Sequence, residues 1–275
     1  MSGDSSGVRG MSSGTSGARR LRDRVAIITG GGGDNSIGRA ICLRYAKEGA
    51  RVAVLDVDVA GAERVATEIR DRGGDALAIA CDVCDLEQCE AAARRVADAW
   101  DGRIDILVNA AAWLKALPWK AFDEWSVEDW DRMLDVNLRG MWFCARAVVP
   151  YMKAGRYGKI INLTSSTFWE GVGGFIHYTS SKGGAIGFTR ALGRELGPFG
   201  IRVNALAPGY TLSGAQELHA AEHPEWARAM CEQRALAERD EVPDDLAGPA
   251  FFLASEDSDF MTCQTILVDG GRSMW

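Results

Sequence analysis

A chain of 275 residues, 47% hydrophobic and 25% charged, with a formal net charge of -7 and a pI near 5.1, has the size and make-up of one α/β domain. The acidic balance offers no basic surface for nucleic acid or anionic lipid, and the apolar runs are strand-sized, too short to span a membrane. Seven scattered cysteines without a signal peptide read as free thiols of a cytoplasmic protein, and Cys81-x-x-Cys84 has no second pair at zinc distance.

Residues 1–20 are rich in Ser and Gly, lack an apolar stretch and are expected to form a disordered leader, with Met11 an alternative start. From Leu21 a regular alternation begins. Strands are expected at 25–29, 51–56, 76–81, 104–108, 159–163, 202–206 and 265–269, separated by amphipathic stretches of helix length. That rhythm predicts a doubly wound, seven-stranded parallel sheet with helices on both faces, in a single domain over 21–275.

The first strand runs into Gly30-Gly31-Gly32-Gly33-Asp34-Asn35-Ser36-Ile37-Gly38 and then a helical stretch. Backbone amides and a helix N-terminus there would face a pyrophosphate, which makes Gly30, Asn35, Ser36, Ile37 and Gly38 candidate cofactor contacts. Asp56 ends the second strand, where a carboxylate accepts hydrogen bonds from an adenosine ribose and repels a 2′-phosphate. This favours NAD over NADP, with Arg39 the side chain that a phosphate would recruit. Further along, Ile160-Ile161-Asn162-Leu163-Thr164-Ser165 reads as a buried strand ending in a hydroxyl, and Tyr178-Thr179-Ser180-Ser181-Lys182 as the opening of a helix. Lys182 then lies one turn beyond Tyr178, on the same face. A cation beside a phenol stabilises the phenolate and suits it to acid/base work, and Ser165 is placed to hold a substrate oxygen.

The glycine segment, Asp135-Val136-Asn137, and Ser165 thirteen residues before Tyr178 together resemble the short-chain dehydrogenase/reductase family over 21–271. The resemblance implies a Rossmann fold, with Tyr178 as general acid/base and Lys182 as its electrostatic activator and a ribose ligand. Ser165 would donate a hydrogen bond to the carbonyl or alcohol oxygen, and Asn137 would hold a proton-relay water behind Lys182. It further implies that Asp82 and Val83 contact the adenine, that Asn109 lies at the cofactor-side strand end, and that Pro208, Gly209 and Thr211 belong to the segment meeting the nicotinamide carboxamide. A substrate lid is expected over 212–239, and a homotetramer by family analogy.

Three departures stand out. The glycine loop is two residues longer than the family's and carries Ser36 at the middle glycine position, as in enoyl reductases, whose tyrosine and lysine are spaced more widely than here. Asn109-Ala110-Ala111-Ala112 replaces Asn-Asn-Ala-Gly, and Cys263 replaces a glycine. Trp113, Trp169 and Tyr210, with Phe168, adjoin the catalytic segments and are expected to line an apolar, aromatic pocket. The stretch 162–169, with 177–178 and 187–190, is also similar to the 1-phenylethanol dehydrogenase group. Trp119, Trp125, Trp130 and Trp142 are assigned to core and subunit interface. His219-Ala220-Ala221-Glu222-His223 matches the inverted zinc-protease pattern, yet it runs straight into Pro224 without a third ligand and reads as lid histidines; no metal is expected. The expected function is an NAD-dependent oxidoreductase interconverting a small-molecule secondary alcohol and ketone. The alternatives are an enoyl-thioester reductase and a non-catalytic dinucleotide sensor.

Overall fold

The computed structural model describes residues 19–113 and 119–274, so the expected leader lies outside them except for Arg19 and Arg20. Among these residues seven strands form one parallel sheet: β1 (Val25–Thr29), β2 (Arg51–Asp56), β3 (Asp75–Ala80), β4 (Ile106–Asn109), β5 (Gly158–Leu163), β6 (Ile201–Pro208) and β7 (Thr265–Val268). Their spatial order is β3-β2-β1-β4-β5-β6-β7. All seven expected strands are present, two with the expected bounds and the others with ends moved by at most two residues. β4 starts late because Asp105 serves β1 instead: its Oδ2 accepts the Val25 amide at 2.9 Å.

The helices are α1 (Ile37–Lys47), α2 (Val59–Asp71), α3 (Leu86–Ala99), α4 (Val127–Leu134), α5 (Gly140–Gly155), α6 (Thr167–Glu170), α7 (Ile176–Leu196), α8 (Gly214–Glu222), α9 (Pro224–Glu232) and α10 (Pro243–Ala254). Short polar residues start several of them. Ser36 accepts the Arg39 amide ahead of α1, Asp85 accepts those of Glu87 and Gln88 ahead of α3, and Ser126 that of Asp129 ahead of α4. No helix among the described residues is long and apolar enough to cross a membrane.

Side chains alternate across each strand, so the sheet has two cores. Ala26 and Ile28 of β1 pack with Ile41, Tyr45 and Ala250 on one face; Val25 and Ile27 pack with Val96, Ala145 and Val148 on the other. The fully buried Tyr45 is tolerated because its hydroxyl donates to Ala250 O at 2.8 Å.

The topology also locates the site. From β1 the chain winds outward to β3, then crosses to β4 and winds the other way. The helices that follow β1 and β4 therefore lie on opposite faces of the sheet, and the place for a ligand crevice is between them at the carboxyl ends of the strands. Register levels that edge: Thr29 pairs with Leu55 and Asn109, and Asn109 with Asn162.

Candidate active site and cofactor crevice

The glycine segment forms one wall of the crevice. Gly30 has φ +67, and a Cβ there would stand 2.7 Å from Ala111 Cα, so the β1 and β4 loops approach more closely than any side chain permits. Thr29 Oγ1 holds the second loop by accepting the amides of Ala110 and Ala111, both at 3.1 Å. The two extra loop residues have a structural use that the sequence did not disclose. Asn35 Nδ2 donates to Leu212 O at 3.2 Å and to Glu217 Oε1 at 2.7 Å, tying the glycine loop to α8 in the segment expected to form a lid.

Asp56 stands half-buried at the end of β2, its Oδ2 accepting the Gly32 amide at 2.9 Å and its Oδ1 the Asp58 amide at 3.0 Å. Arg39 is already engaged, with Nη2 2.6 Å from Glu68 Oε2. Asp82 Oδ1 accepts the Cys84 amide, and buried Val83 packs under Gly140.

These residues fit a dinucleotide. The Ile37 and Gly38 amides that open α1 have no intrahelical partner, the helix has no acidic residue in that turn to repel a phosphate, and Asn109 Oδ1 is buried without a hydrogen-bond partner among the described residues.

The catalytic candidates converge beside this crevice. Ser165 follows β5, and Thr164 Oγ1 donates to Lys182 O at 2.7 Å, which holds this strand end against α7, whose first turn carries Tyr178. Lys182, 3% exposed, donates from Nζ to Leu163 O at 2.9 Å and lies 5.6 Å from the centre of the Tyr178 ring. Asn137 sits in a π-helical turn, Asp135–Arg139, that joins α4 to α5. Its Oδ1 accepts the Trp113 amide at 2.8 Å, and its Nδ2 donates to Ser181 Oγ at 3.2 Å, so it fastens both neighbouring segments to α7.

The electrostatics differ from the sequence expectation in one respect. Burial raises the Tyr178 phenol above its ordinary value, against the pull of Ser165, and lowers Lys182 to about 8. Helical spacing sets the two side chains on one face, but Lys182 turns its ammonium to the Leu163 carbonyl, and burial dominates. At neutral pH the pair is a neutral phenol beside a cation, the form that donates a proton.

On the substrate side, Tyr210 packs edge-on against Trp226 of α9 with centroids 4.9 Å apart, Trp226 lies 6.4 Å from Trp119, and Trp119 lies 4.7 Å from Phe175. Sequence reasoning did not single out Phe175 and Trp226 and assigned Trp119 to core and subunit interface; nothing in local spacing relates them, because they come from separate segments. Trp169 stacks edge-on with Phe168, whose ring is 45% exposed and rests on Gly183. Trp113 sets its ring edge-on to His177. Of the lid histidines, the His219 side chain lies outside the described residues, and His223 stands at the N-cap of α9.

His177, directly before Tyr178, is fully buried, 3.9 Å from the Trp125 ring, and neither ring nitrogen has a hydrogen-bond partner among the described residues. Burial lowers its pKa from 6.5, with Asp129 acting the other way and Lys120 with it. The unfolded chain therefore binds this proton more readily than the folded one. Stability is present above about pH 6.5 and falls as the pH drops through that value towards the folded pKa. Thermal denaturation from pH 7.5 to 5 should show a decline that His177→Phe reduces; an unchanged slope would assign the acid sensitivity to other groups.

Residues 30–273 match a family model described as Enoyl-(Acyl carrier protein) reductase. The chain belongs to the short-chain dehydrogenase/reductase family. Among its curated relatives, the (2S)-[(R)-hydroxy(phenyl)methyl]succinyl-CoA dehydrogenase subunit BbsD of Thauera aromatica is 36% identical over 255 residues, covering 93% of this chain and 98% of that one. Galactitol 2-dehydrogenase of Agrobacterium fabrum is 37% identical over 263 residues, covering 93% and 99%. A solved structure from Beutenbergia cavernae, titled as a putative NAD(P) dependent gluconate 5-dehydrogenase with bound NADP at low occupancy, superposes with a TM-score of 0.83 at 35% identity, over 93% and 99% of the two chains. Such family members are oxidoreductases, and the Rossmann-type sheet of this chain is theirs.

Proposed function

We propose that this chain is an NAD-dependent dehydrogenase interconverting a secondary alcohol and a ketone that carries a ring or another bulky apolar group. The observation that carries the reading is the strand end bearing Ser165 bound to the helix turn bearing Tyr178 and Lys182, through Lys182 Nζ to Leu163 O at 2.9 Å and Thr164 Oγ1 to Lys182 O at 2.7 Å, with Lys182 Nζ 5.6 Å from the Tyr178 ring centre. In ketone reduction Tyr178 gives its proton to the substrate oxygen, Ser165 hydrogen-bonds the same oxygen, and the Lys182 cation offsets the phenolate that forms. In alcohol oxidation the proton moves the other way. A bound nicotinamide supplies or accepts the hydride. Gly30, Ser36, Ile37 and Gly38 would hold its pyrophosphate, Asp56 and Lys182 its riboses, and Thr211 its carboxamide. The one-turn spacing of Tyr178 and Lys182 favours ketone chemistry over enoyl reduction, and the presence of all four catalytic residues favours an enzyme over a sensor.

NAD is preferred because the ribose-side charge is acidic: Asp56 closes β2, and Arg39 is neutralised by Glu68. Wild type should favour NAD over NADP by on the order of 100-fold in kcat/KM, and Asp56→Ala should narrow that ratio about 10-fold. Kinetics with both cofactors decide, and a variant retaining the full preference would move the discrimination away from Asp56.

The aromatic cluster Tyr210, Trp226, Trp119 and Phe175, together with Trp113 and Trp169, supports an apolar substrate. The direct experiment is a rate comparison with NADH across aryl ketones, polyol-derived ketones and enoyl thioesters. Aryl ketones should lead by at least about 10-fold in kcat/KM, the scale of one well-filled apolar contact. A polyol preference would defeat the substrate assignment, and turnover of enoyl thioesters alone would shift the reaction to double-bond reduction. By family analogy the protein is a cytoplasmic homotetramer, and Trp142, 47% exposed beside Phe143 on α5, is a candidate subunit contact.

A further inference from the structure

One carboxylate ties the base of the lid. Glu241, 6% exposed, accepts the Thr211 hydroxyl at 2.6 Å and the Gly209 amide at 3.1 Å, both on Oε1. Its backbone bridges Thr211, and its carbonyl accepts the Leu212 amide at 2.8 Å. The chain thus leaves for α8 and α9 and returns to the same point. On the far side, buried Arg234 donates from Nη2 to Tyr210 O.

The Thr211 hydroxyl has a single proton. Its two acceptors are Glu241 Oε1 at 2.6 Å and Gly209 O at 3.4 Å, and the short charge-assisted bond takes it. Oε1 receives the Gly209 amide as well, so both its lone pairs are filled and it can only accept from Thr211. Burial raises the Glu241 carboxyl above its usual value, while Thr211, Arg234 and the Gly209 amide pull it back. With its proton committed, Thr211 Oγ1 can offer a ligand only lone pairs.

We propose that Glu241 is a positioning residue that holds Thr211 as a hydrogen-bond acceptor for the amide N–H of the nicotinamide carboxamide, and so fixes which way that amide and its ring are turned. This rests on the assignment of Thr211 to the carboxamide made above. A carboxamide carries a donor and an acceptor, and a free threonine hydroxyl would meet either. The Glu241 contact removes that choice and makes the hydroxyl selective for the NH2 group. Sequence offers little signal for it, since Glu241 is one acid among many and pairs with a residue 30 positions away.

The test compares equilibrium binding, by fluorescence titration, of NADH and reduced 3-acetylpyridine adenine dinucleotide, whose acetyl group has the carbonyl but no N–H. Wild type should bind NADH about 10-fold more tightly, the scale of one such hydrogen bond. Glu241→Ala and Thr211→Val should each lose that discrimination, with analogue affinity within about 2-fold of wild type, and the double variant should be no worse than either single one. Glu241→Gln keeps an acceptor oxygen and the side-chain shape and should restore discrimination to within about 3-fold of wild type. If Thr211→Val loses discrimination while Glu241→Ala keeps it, the carboxamide assignment stands and the role of Glu241 is overturned. If Thr211→Val keeps it too, the assignment itself has failed. Equal wild-type affinity for the two dinucleotides would overturn the proposal without any variant.

Discussion

Tyr178→Phe is expected to lower kcat for ketone reduction by about 1,000-fold while NADH affinity stays within about 2-fold of wild type, because it removes one proton donor and no cofactor contact of comparable weight. The ring remains, so α7 keeps its packing and Lys182 its bond to Leu163 O. The loss should fall on kcat more than on KM, since the proton moves only in the transition state. Steady-state kinetics together with an NADH titration separate these effects. Turnover within about 10-fold of wild type would remove Tyr178 from the chemistry and point to another acid.

Gly38→Ala is expected to cost at least about 100-fold in NADH affinity and to lower Tm by about 4–10 °C. A methyl at this position would stand inside contact distance of the Gly30 carbonyl oxygen and 3.1 Å from Gly31 Cα. Both are backbone, so no rotamer change relieves the overlap; either the loop shifts outward or α1 does. Each movement breaks the alignment of loop amides with the positive end of the helix. Gly187→Ala is the control, since a Cβ there meets nothing within 4 Å and alanine favours a helix interior. Unchanged NADH affinity in Gly38→Ala would mean that the phosphate lies elsewhere.

The family model that matches the chain bears an enoyl-reductase description, while the relatives range from a CoA-thioester dehydrogenase to a polyol dehydrogenase. That breadth has a physical basis. The strand ends and α7 carry the candidate catalytic side chains, whereas the proposed lid and the segment leading to Phe175 are loops and short helices around them, and loops tolerate replacement where the sheet does not.

The amino-acid sequence by itself determined the sheet and singled out the candidate catalytic side chains. Strand and helix periods are local properties, and so is the meaning of a glycine run between a strand and a helix or of Tyr178 and Lys182 one turn apart. The tertiary structure decided what depends on distant residues meeting. It gave Asn35 of the lengthened loop a partner on α8, and it gathered Trp119, Phe175, Tyr210 and Trp226 from four separate segments. It paired Glu241 with Thr211. It also reversed the expected direction for Tyr178, because the burial that raises a phenol and lowers an ammonium is a property of everything packed around the helix and cannot be read from the spacing along it.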